Sequence, residues 1–267
     1  MNIIRKGDSG DDVKTLQTLL TDKGFPCVID GDFGPITESK VKAFQYQNGL
    51  DVDGIVGVAT WSALNASTLV APPDPIPPIL RHAESIGHKI WGEPWRLWLF
   101  GIRSPNREAN SFDDMMGCAY VDDDGLWKMH YWPATCDPGT YWLDNPSRVD
   151  GTAILVPGQY ESWEIGTHRT YEALVQKAGQ VKVYRDDSGD NRLDMDENKI
   201  FDGYFGINLH ASTRREGGES TRVDKWSAGC QVHATERGFS EMMELAHKQI
   251  EKTGRKTFTY CLMNQWW

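Results

Sequence analysis

Apolar positions in the first 65 residues recur at helical spacing. Val13, Leu16, Leu19 and Leu20 form one stripe, with Asp11 or Asp12 placed to cap its start and Gly24 lying past its end. Val41, Ala43 and Phe44 form a second, which predicts a helix over 37–48 with Thr37 as its cap. One turn occurs twice, as Asp30-Gly31-Asp32-Phe33-Gly34-Pro35-Ile36-Thr37 and as Asp53-Gly54-Ile55-Val56-Gly57-Val58-Ala59-Thr60. Its glycines permit left-handed backbone and its Thr can open a helix, so these residues read first as turns and caps. Beyond residue 95 the pattern changes to short β-branched and aromatic runs between Gly, Pro, Asn and Asp clusters. These predict strands over 96–102, 118–121, 126–131, 140–143, 152–156, 181–184, 204–209 and 257–263, with a hairpin turn at Asp123-Asp124-Gly125. Helices are predicted over 79–91 and through Phe239, Met242, Met243, Ala246 and Ile250, the latter capped by Thr235 or Ser240 and stopped by Gly254. The class is α+β: a small helical segment, then a mostly β segment with flanking helices.

The two segments are separated by residues 67–78, where five prolines favour extended backbone over helix or sheet ladder. The expected organisation is a domain over 1–66, a proline-rich linker over 67–78 and a larger domain over 79–267.

Composition narrows the function. The 267 residues carry a net charge of −10, and so acidic a chain does not supply the cationic stripe of a general nucleic-acid binder. No apolar run reaches the length of a membrane span; the longest, 95–102, is interrupted by Arg96 and Gly101. The start, MNIIRKGDSG, lacks the apolar core of a secretory signal. The expectation is a monomer made in the cytoplasm that needs some other route to act outside. The five Cys include no CxxC pair, and their odd number argues against a closed disulfide framework and leaves room for a reactive thiol.

Candidate chemistry lies in three places. Phe205-Gly206-Ile207-Asn208-Leu209-His210-Ala211-Ser212 ends a predicted strand on His210. Twenty residues on, Trp226-Ser227-Ala228-Gly229-Cys230-Gln231-Val232 sets Cys230 after a short polar turn, where its backbone N–H can face an oxyanion. A thiol reacts as thiolate, and an imidazole is the usual means of obtaining one near neutral pH. On spacing alone Cys230 also reads as a small buried hydrophobe. The third place is 186–197, where Asp186, Ser188, Asp190, Arg192, Asp194 and Glu197 occupy positions 1, 3, 5, 7, 9 and 12 of a calcium-loop spacing. Asn191 stands where such loops carry Gly, and a strand precedes the loop, so it reads equally as an acidic hairpin turn. No cofactor is otherwise required; a structural Ca²⁺ is the one expectation.

The run Gly7-Asp8-Ser9-Gly10, Val13, Leu16-Gln17, Gly24-Phe25, Asp30-Gly31, Phe33-Gly34, Thr37, Val41, Phe44-Gln45, Asp53-Gly54, Val56-Gly57, Thr60-Trp61 and Leu64 resembles the type 1 peptidoglycan-binding domain. That resemblance implies a three-helix module gripping the bacterial wall. His210 followed by Ser227-Ala228-Gly229-Cys230 resembles the catalytic pattern of the L,D-transpeptidase family, a His and then a Ser/Thr-His-Gly-Cys block. Residues 133–143, Pro-Ala-Thr-Cys-Asp-Pro-Gly-Thr-Tyr-Trp-Leu, are similar to an upstream block of that family.

The second resemblance implies Cys230 as nucleophile and His210 as general base. It gives the carbonyl of Ala211 the task of orienting the base, and makes Ser227 and Gly229 the frame of the nucleophile. Two positions depart: Ala228 replaces the family's second His, and Val232 replaces an Arg that would contact a substrate carboxylate. His233 or His168 then stands as replacement imidazole, and Arg214, Arg215 or Arg222 as replacement cation; Arg214, Arg222, Gln231 and His233 form the expected substrate-binding set. The departures resemble the divergent branch carried by phage lytic enzymes (endolysins). The activity implied is hydrolysis of peptide bonds in peptidoglycan, released onto the wall by holin-type export. The alternatives are a transpeptidase that cross-links stem peptides and a wall-binding phage structural protein without activity.

Overall fold

The computed structural model describes residues 2–23, 25–65 and 72–267. Gly24 and residues 67–71 of the proline-rich stretch lie outside the described residues. The chain forms two compact units, Met1–Leu69 and Val70–Trp267. No helix among the described residues is long and apolar enough to cross a membrane.

The smaller unit has three helices, α1 (Asp11–Asp22), α2 (Pro35–Gln47) and α3 (Val58–Asn65). They enclose Val13, Leu16, Leu20, Phe33, Val41, Phe44, Val56, Trp61 and Leu64, all buried. So small a core is marginal by itself, and two buried glutamines reinforce it. Gln17 reaches from α1 into the first repeated turn: its Nε2 donates to Asp30 Oδ1 (2.7 Å), Asp32 O and Thr37 Oγ1, while its Oε1 accepts from Gly31 N (2.8 Å). Gln45 does the same from α2 in the second turn, with Asp53 Oδ1 (2.8 Å), Ile55 O, Thr60 Oγ1 and Gly54 N (2.9 Å). The sequence repeat is thus a repeated polar lock. Two expectations change here. Thr37 does not cap α2, which begins at Pro35 after Gly34; its hydroxyl is spent on the lock. Ala43 faces solvent, and Gln45 takes its place inside.

The larger unit is built on a closed eight-stranded barrel. Its strands are β1 (Trp98–Arg103), β2 (Asp114–Val121), β3 (Trp127–Thr135), β5 (Gly158–His168), β6 (Tyr171–Gln176), β9 (Leu209–Ala211), β10 (Gln231–His233) and β11 (Thr257–Asn264), in the order β1-β11-β5-β6-β9-β10-β3-β2. A second sheet, β4-β7-β8, comprises β4 (Thr152–Leu155), β7 (Val181–Asp186) and β8 (Ile200–Gly203). Pairing is antiparallel except for β1 with β11 and β9 with β10. The barrel closes on Trp132, Trp163, Phe258, Tyr260 and Leu262, and α6 (Glu236–Thr253) adds Phe239, Met242 and Ala246 to that core. Thr235 caps α6, accepting from Gly238 N, and Gly254 ends it in left-handed backbone at φ 70°. The helix α4 (Pro78–Ser85) packs Ile79, Leu80 and Ala83 onto the other face of the sheet, with Trp98, Phe100 and Cys261.

Several predicted boundaries move for local reasons. The helix predicted over 79–91 starts at Pro78 and stops at Ser85. The end of the proline-rich stretch is held by the larger unit, where Trp127 Nε1 donates to Pro73 O (2.8 Å) and Ile76 packs on the α4 core. Residues 140–143 are a helical turn, α5 (Thr140–Asp144), because Gly139 O captures the Trp142 and Leu143 amides. Of the predicted strand over 204–209, residues 204–208 are irregular, with Gly206 in left-handed backbone at φ 71°, and Leu209 opens the short strand β9.

Candidate active site

The parallel pairing of β9 with β10 sets His210 opposite Val232 and Leu209 opposite Gln231. Cys230, one residue before β10, therefore lies beside Asn208, one residue before β9. The Asn208 N–H donates to Cys230 Sγ at 3.4 Å, and the thiol donates to Gly206 O at 3.4 Å. Asn208 is itself pinned: its Oδ1 accepts from Gln176 N (2.9 Å) and its carbonyl from Gln231 N (2.9 Å). Its Nδ2 lies 3.1 Å from His168 Nδ1.

His210 is buried, and its Nδ1 lies 3.0 Å from Ala211 O. A carbonyl only accepts, so Nδ1 carries the proton and Nε2 keeps its lone pair. Burial, with His168 as the second cause, drives the His210 pKa down to about 3, and burial pushes the Cys230 thiol up to about 11. The resting pair is thus a neutral imidazole and a protonated thiol. His168, at the end of β5, stacks on His210 with 4.3 Å between centroids and 13° between planes. His168, Arg169, Tyr171, His210, Arg214 and Trp226 line a cleft of about 180 Å³.

The turn that carries Cys230 is closed by its own side chains. Ser227 Oγ accepts from Gly229 N (3.1 Å) and donates to Cys230 O (2.8 Å), closing 227–230 on itself. Gly229 has φ +112°, and a Cβ there would collide with Ala153 O. The 133–143 block braces this turn: Gly139 N donates to Ser227 O at 2.9 Å. The Gly229 N–H is committed to Ser227. The Cys230 N–H has no partner among the described residues.

Other expected residues fall in different places. Gln231 is fully buried; its Nε2 donates to Cys136 O (3.2 Å) and its Oε1 accepts from Tyr260 OH (2.9 Å). His233 is also fully buried, its Nε2 3.2 Å from Met242 Sδ and its Nδ1 without a partner. Neither offers an atom to a substrate, because β10 runs through the barrel wall and turns both side chains inward. Arg222 is exposed beside Asp224 (3.5 Å). Arg214 sits on the cleft, its guanidinium over the rings of Tyr171 (5.0 Å) and Phe239 (5.1 Å). His168 comes to His210, which His233 does not approach from the cleft side. Asn208 and Tyr171 join the site with no sequence signal, since one acts through a backbone amide and the other through a hairpin the pattern does not reveal.

In the acidic loop, Asp186 is fully buried, and its carboxylate accepts from Ser188 N, Ser188 Oγ and Asp194 N (2.9 Å). Burial raises its pKa despite these bonds. Asp190 accepts from Arg192 N (2.7 Å). Among the described residues no three His, Cys, Asp or Glu side chains come together in a group that can hold a metal ion; Glu197 is not brought onto Asp186, Asp190 and Asp194.

Comparison with known proteins concerns the smaller unit. Residues 9–64 match the family described as "Putative peptidoglycan binding domain", and the chain carries a domain of that kind. A zinc D-Ala-D-Ala carboxypeptidase of Streptomyces albus G is 39% identical over 66 residues, 23% of this chain and 25% of the carboxypeptidase, so the chain spans about a quarter of that relative's length. The crystal structure of a Burkholderia AP3 phage endolysin is 45% identical over 24% of this chain and 25% of its own, with a TM-score of 0.24. The crystal structure of an L,D-transpeptidase (residues 123–326) from Xylanimonas cellulosilytica aligns with 98% of each chain at 16% identity and a TM-score of 0.23.

Proposed function

We propose that this protein is a peptidoglycan hydrolase whose larger unit cleaves peptide bonds through a Cys230 thioester. The observation that carries the reading is the parallel pairing of β9 with β10, which puts on neighbouring strands a thiol held by the Asn208 amide and a histidine whose tautomer is set by Ala211 O. In the reaction, Cys230 Sγ attacks a peptide carbonyl as His210 Nε2 takes the thiol proton. The proton moves as the C–S bond forms, because burial opposes a resting thiolate–imidazolium pair. The carbonyl π electrons pass to oxygen, and the Cys230 N–H meets that charge; one such donor is worth roughly 3–4 kcal/mol in well-studied cases. His210 then protonates the departing amine as the C–N bond breaks. Water, deprotonated by His210, resolves the thioester and returns the thiol.

His168 and Asn208 are positioning residues in this scheme, one against the imidazole and the other on the sulfur. The peptidoglycan-binding domain supports the substrate class: it raises the local concentration of the catalytic unit at the polymer without adding chemistry. The test is incubation of the protein with peptidoglycan and mass spectrometry of the products, with Cys230→Ala and His210→Ala beside it. Released peptides that both variants fail to release support the hydrolase. New cross-links would redirect the reading to a transpeptidase, and intact wall with bound protein would reduce it to a wall-binding component.

A further inference from the structure

The sulfur of Cys230 touches two consecutive peptide planes of the stretch 204–208, which joins β8 to β9. It donates to the carbonyl of the 206–207 plane and accepts from the amide of the 207–208 plane, both at 3.4 Å. Residues 204–208 lie outside any strand, so no sheet ladder fixes the direction of these planes. Side chains fix it instead.

A trans peptide points its C=O and its N–H in opposite directions, so a group that holds one end aims the other. Gln176, buried at the end of β6, holds the first plane. Its Oε1 accepts from Ile207 N (3.1 Å), and the Gly206 carbonyl on the opposite edge meets the thiol. The same Oε1 accepts from Phe205 N (3.0 Å), while Nε2 donates to Gly203 O (2.9 Å) and Gly179 O (3.2 Å), so the side-chain amide is itself held at both ends. Trp163, fully buried and paired with Gln176 across β5 and β6, holds the second plane. Its Nε1 donates to Ile207 O (2.7 Å), and the Asn208 N–H on the opposite edge meets the sulfur.

The two contacts act on the thiol with opposite sign. A carbonyl stabilises S–H and opposes a thiolate, whereas an N–H stabilises the thiolate. We propose that Gln176 and Trp163 are positioning residues for the nucleophile. Gln176 aims the Gly206 carbonyl, which holds the thiol protonated at rest; Trp163 aims the Asn208 amide, which meets the charge as the proton leaves. This rests on the reading of Cys230 above, but it is tested on the thiol itself, without turnover.

The full chain, as parent, Gln176→Met, Gln176→Glu and Trp163→Phe, is pulsed with iodoacetamide at about pH 8, and alkylation of each cysteine is followed by peptide mapping. Burial pushes the Cys230 thiol up to about 11, so at that pH its rate follows the thiolate fraction. The other charged groups nearby, His168, Arg169, Tyr171 and His210 about the cleft and Arg185 over the Phe205 ring, are the same in all four chains. Gln176→Met is expected to speed alkylation of Cys230 at least about twofold, and Trp163→Phe to slow it at least about twofold. Gln176→Glu keeps an acceptor for both amides and reacts no faster than the parent. The buried thiols Cys118, Cys136 and Cys261 report the fold and stay unlabelled in every chain.

A merely structural role moves both variants the same way, since a loosened core speeds labelling everywhere. Rates that stay put, that rise in both Gln176→Met and Trp163→Phe, or that rise at the three buried thiols as well would therefore overturn the proposal, as would Gln176→Glu behaving like Gln176→Met. Opposed rates in a chain that releases nothing from the wall would sink the hydrolase and leave the positioning standing. Wall release by the parent with unmoved rates would do the converse.

Discussion

The imidazole of His168 lies flat against that of His210, 4.3 Å between ring centres. Two protonated rings at that distance repel, so His168 adds to the burial that keeps His210 neutral. Replacing His168 with Phe keeps the stacked face but removes the charge and the contact to Asn208. His210 then protonates at higher pH, so the acid limb of kcat/KM moves upward in pH. The rate itself is expected to fall by about tenfold as the Asn208 strut loosens. A pH–rate profile on soluble wall peptides checks both; an unmoved acid limb would remove His168 from the mechanism.

Gln17 and Gln45 each satisfy buried backbone groups in the two repeated turns. Gln17→Ala strands the buried Gly31 amide and Gln45→Ala the Gly54 amide, a cost of about 1–3 kcal/mol to a small unit. Sedimentation with insoluble peptidoglycan should lose most of the protein in either variant. Cleavage of soluble wall peptides should stay within about twofold, because tethering adds effective concentration only at the polymer. Equal loss on both substrates would contradict a division of labour between the units.

His233 is buried beside Trp132, Phe239 and Met242, and burial drives its pKa down to about 3. In the unfolded chain the ring titrates near 6.5, so between those values unfolding takes up a proton that the native state refuses. Stability is then lost as pH falls through that window. His233→Leu abolishes this contribution. Its advantage over the parent should grow as pH falls from 6.5 to 4, by on the order of 1 kcal/mol per pH unit. Melting curves across that range test it; parallel curves would mean that His233 is not buried as a neutral ring.

Much of this was legible in the residues themselves. Helical stripes in the first unit, the capped and Gly-ended α6, and the strand at 257–263 follow periodicity and local chemistry that tertiary contacts did not override. The β5–β6 hairpin escaped because Gln159, Glu161, Glu164 and Thr167 dilute its apolar pattern, and a register irregularity opposite Phe258 and Thr259 breaks its period of two. Its turn also lacks the usual Gly or Asn: Arg169 takes the left-handed position at φ 56°. That hairpin delivers His168, which is why the second imidazole could be named only as one of two candidates. Residues 140–143 have strand-forming side chains, yet Gly139 starts a helix there. Gln231 and His233 have the chemistry of contact residues, but a three-residue strand inside a barrel turns them to the core. Cys230, His210 and the Ser227–Gly229 frame lie on two short segments whose parallel pairing brings them together.

The central claim is that Cys230 forms a covalent acyl intermediate. Its most direct test is peptide mapping by mass spectrometry of the full chain, acid-quenched during reaction with soluble peptidoglycan fragments. The expected result is a peptidyl mass added at Cys230 in the parent and absent from Cys230→Ala, which releases no product. Turnover by Cys230→Ala at the parent rate would contradict the account.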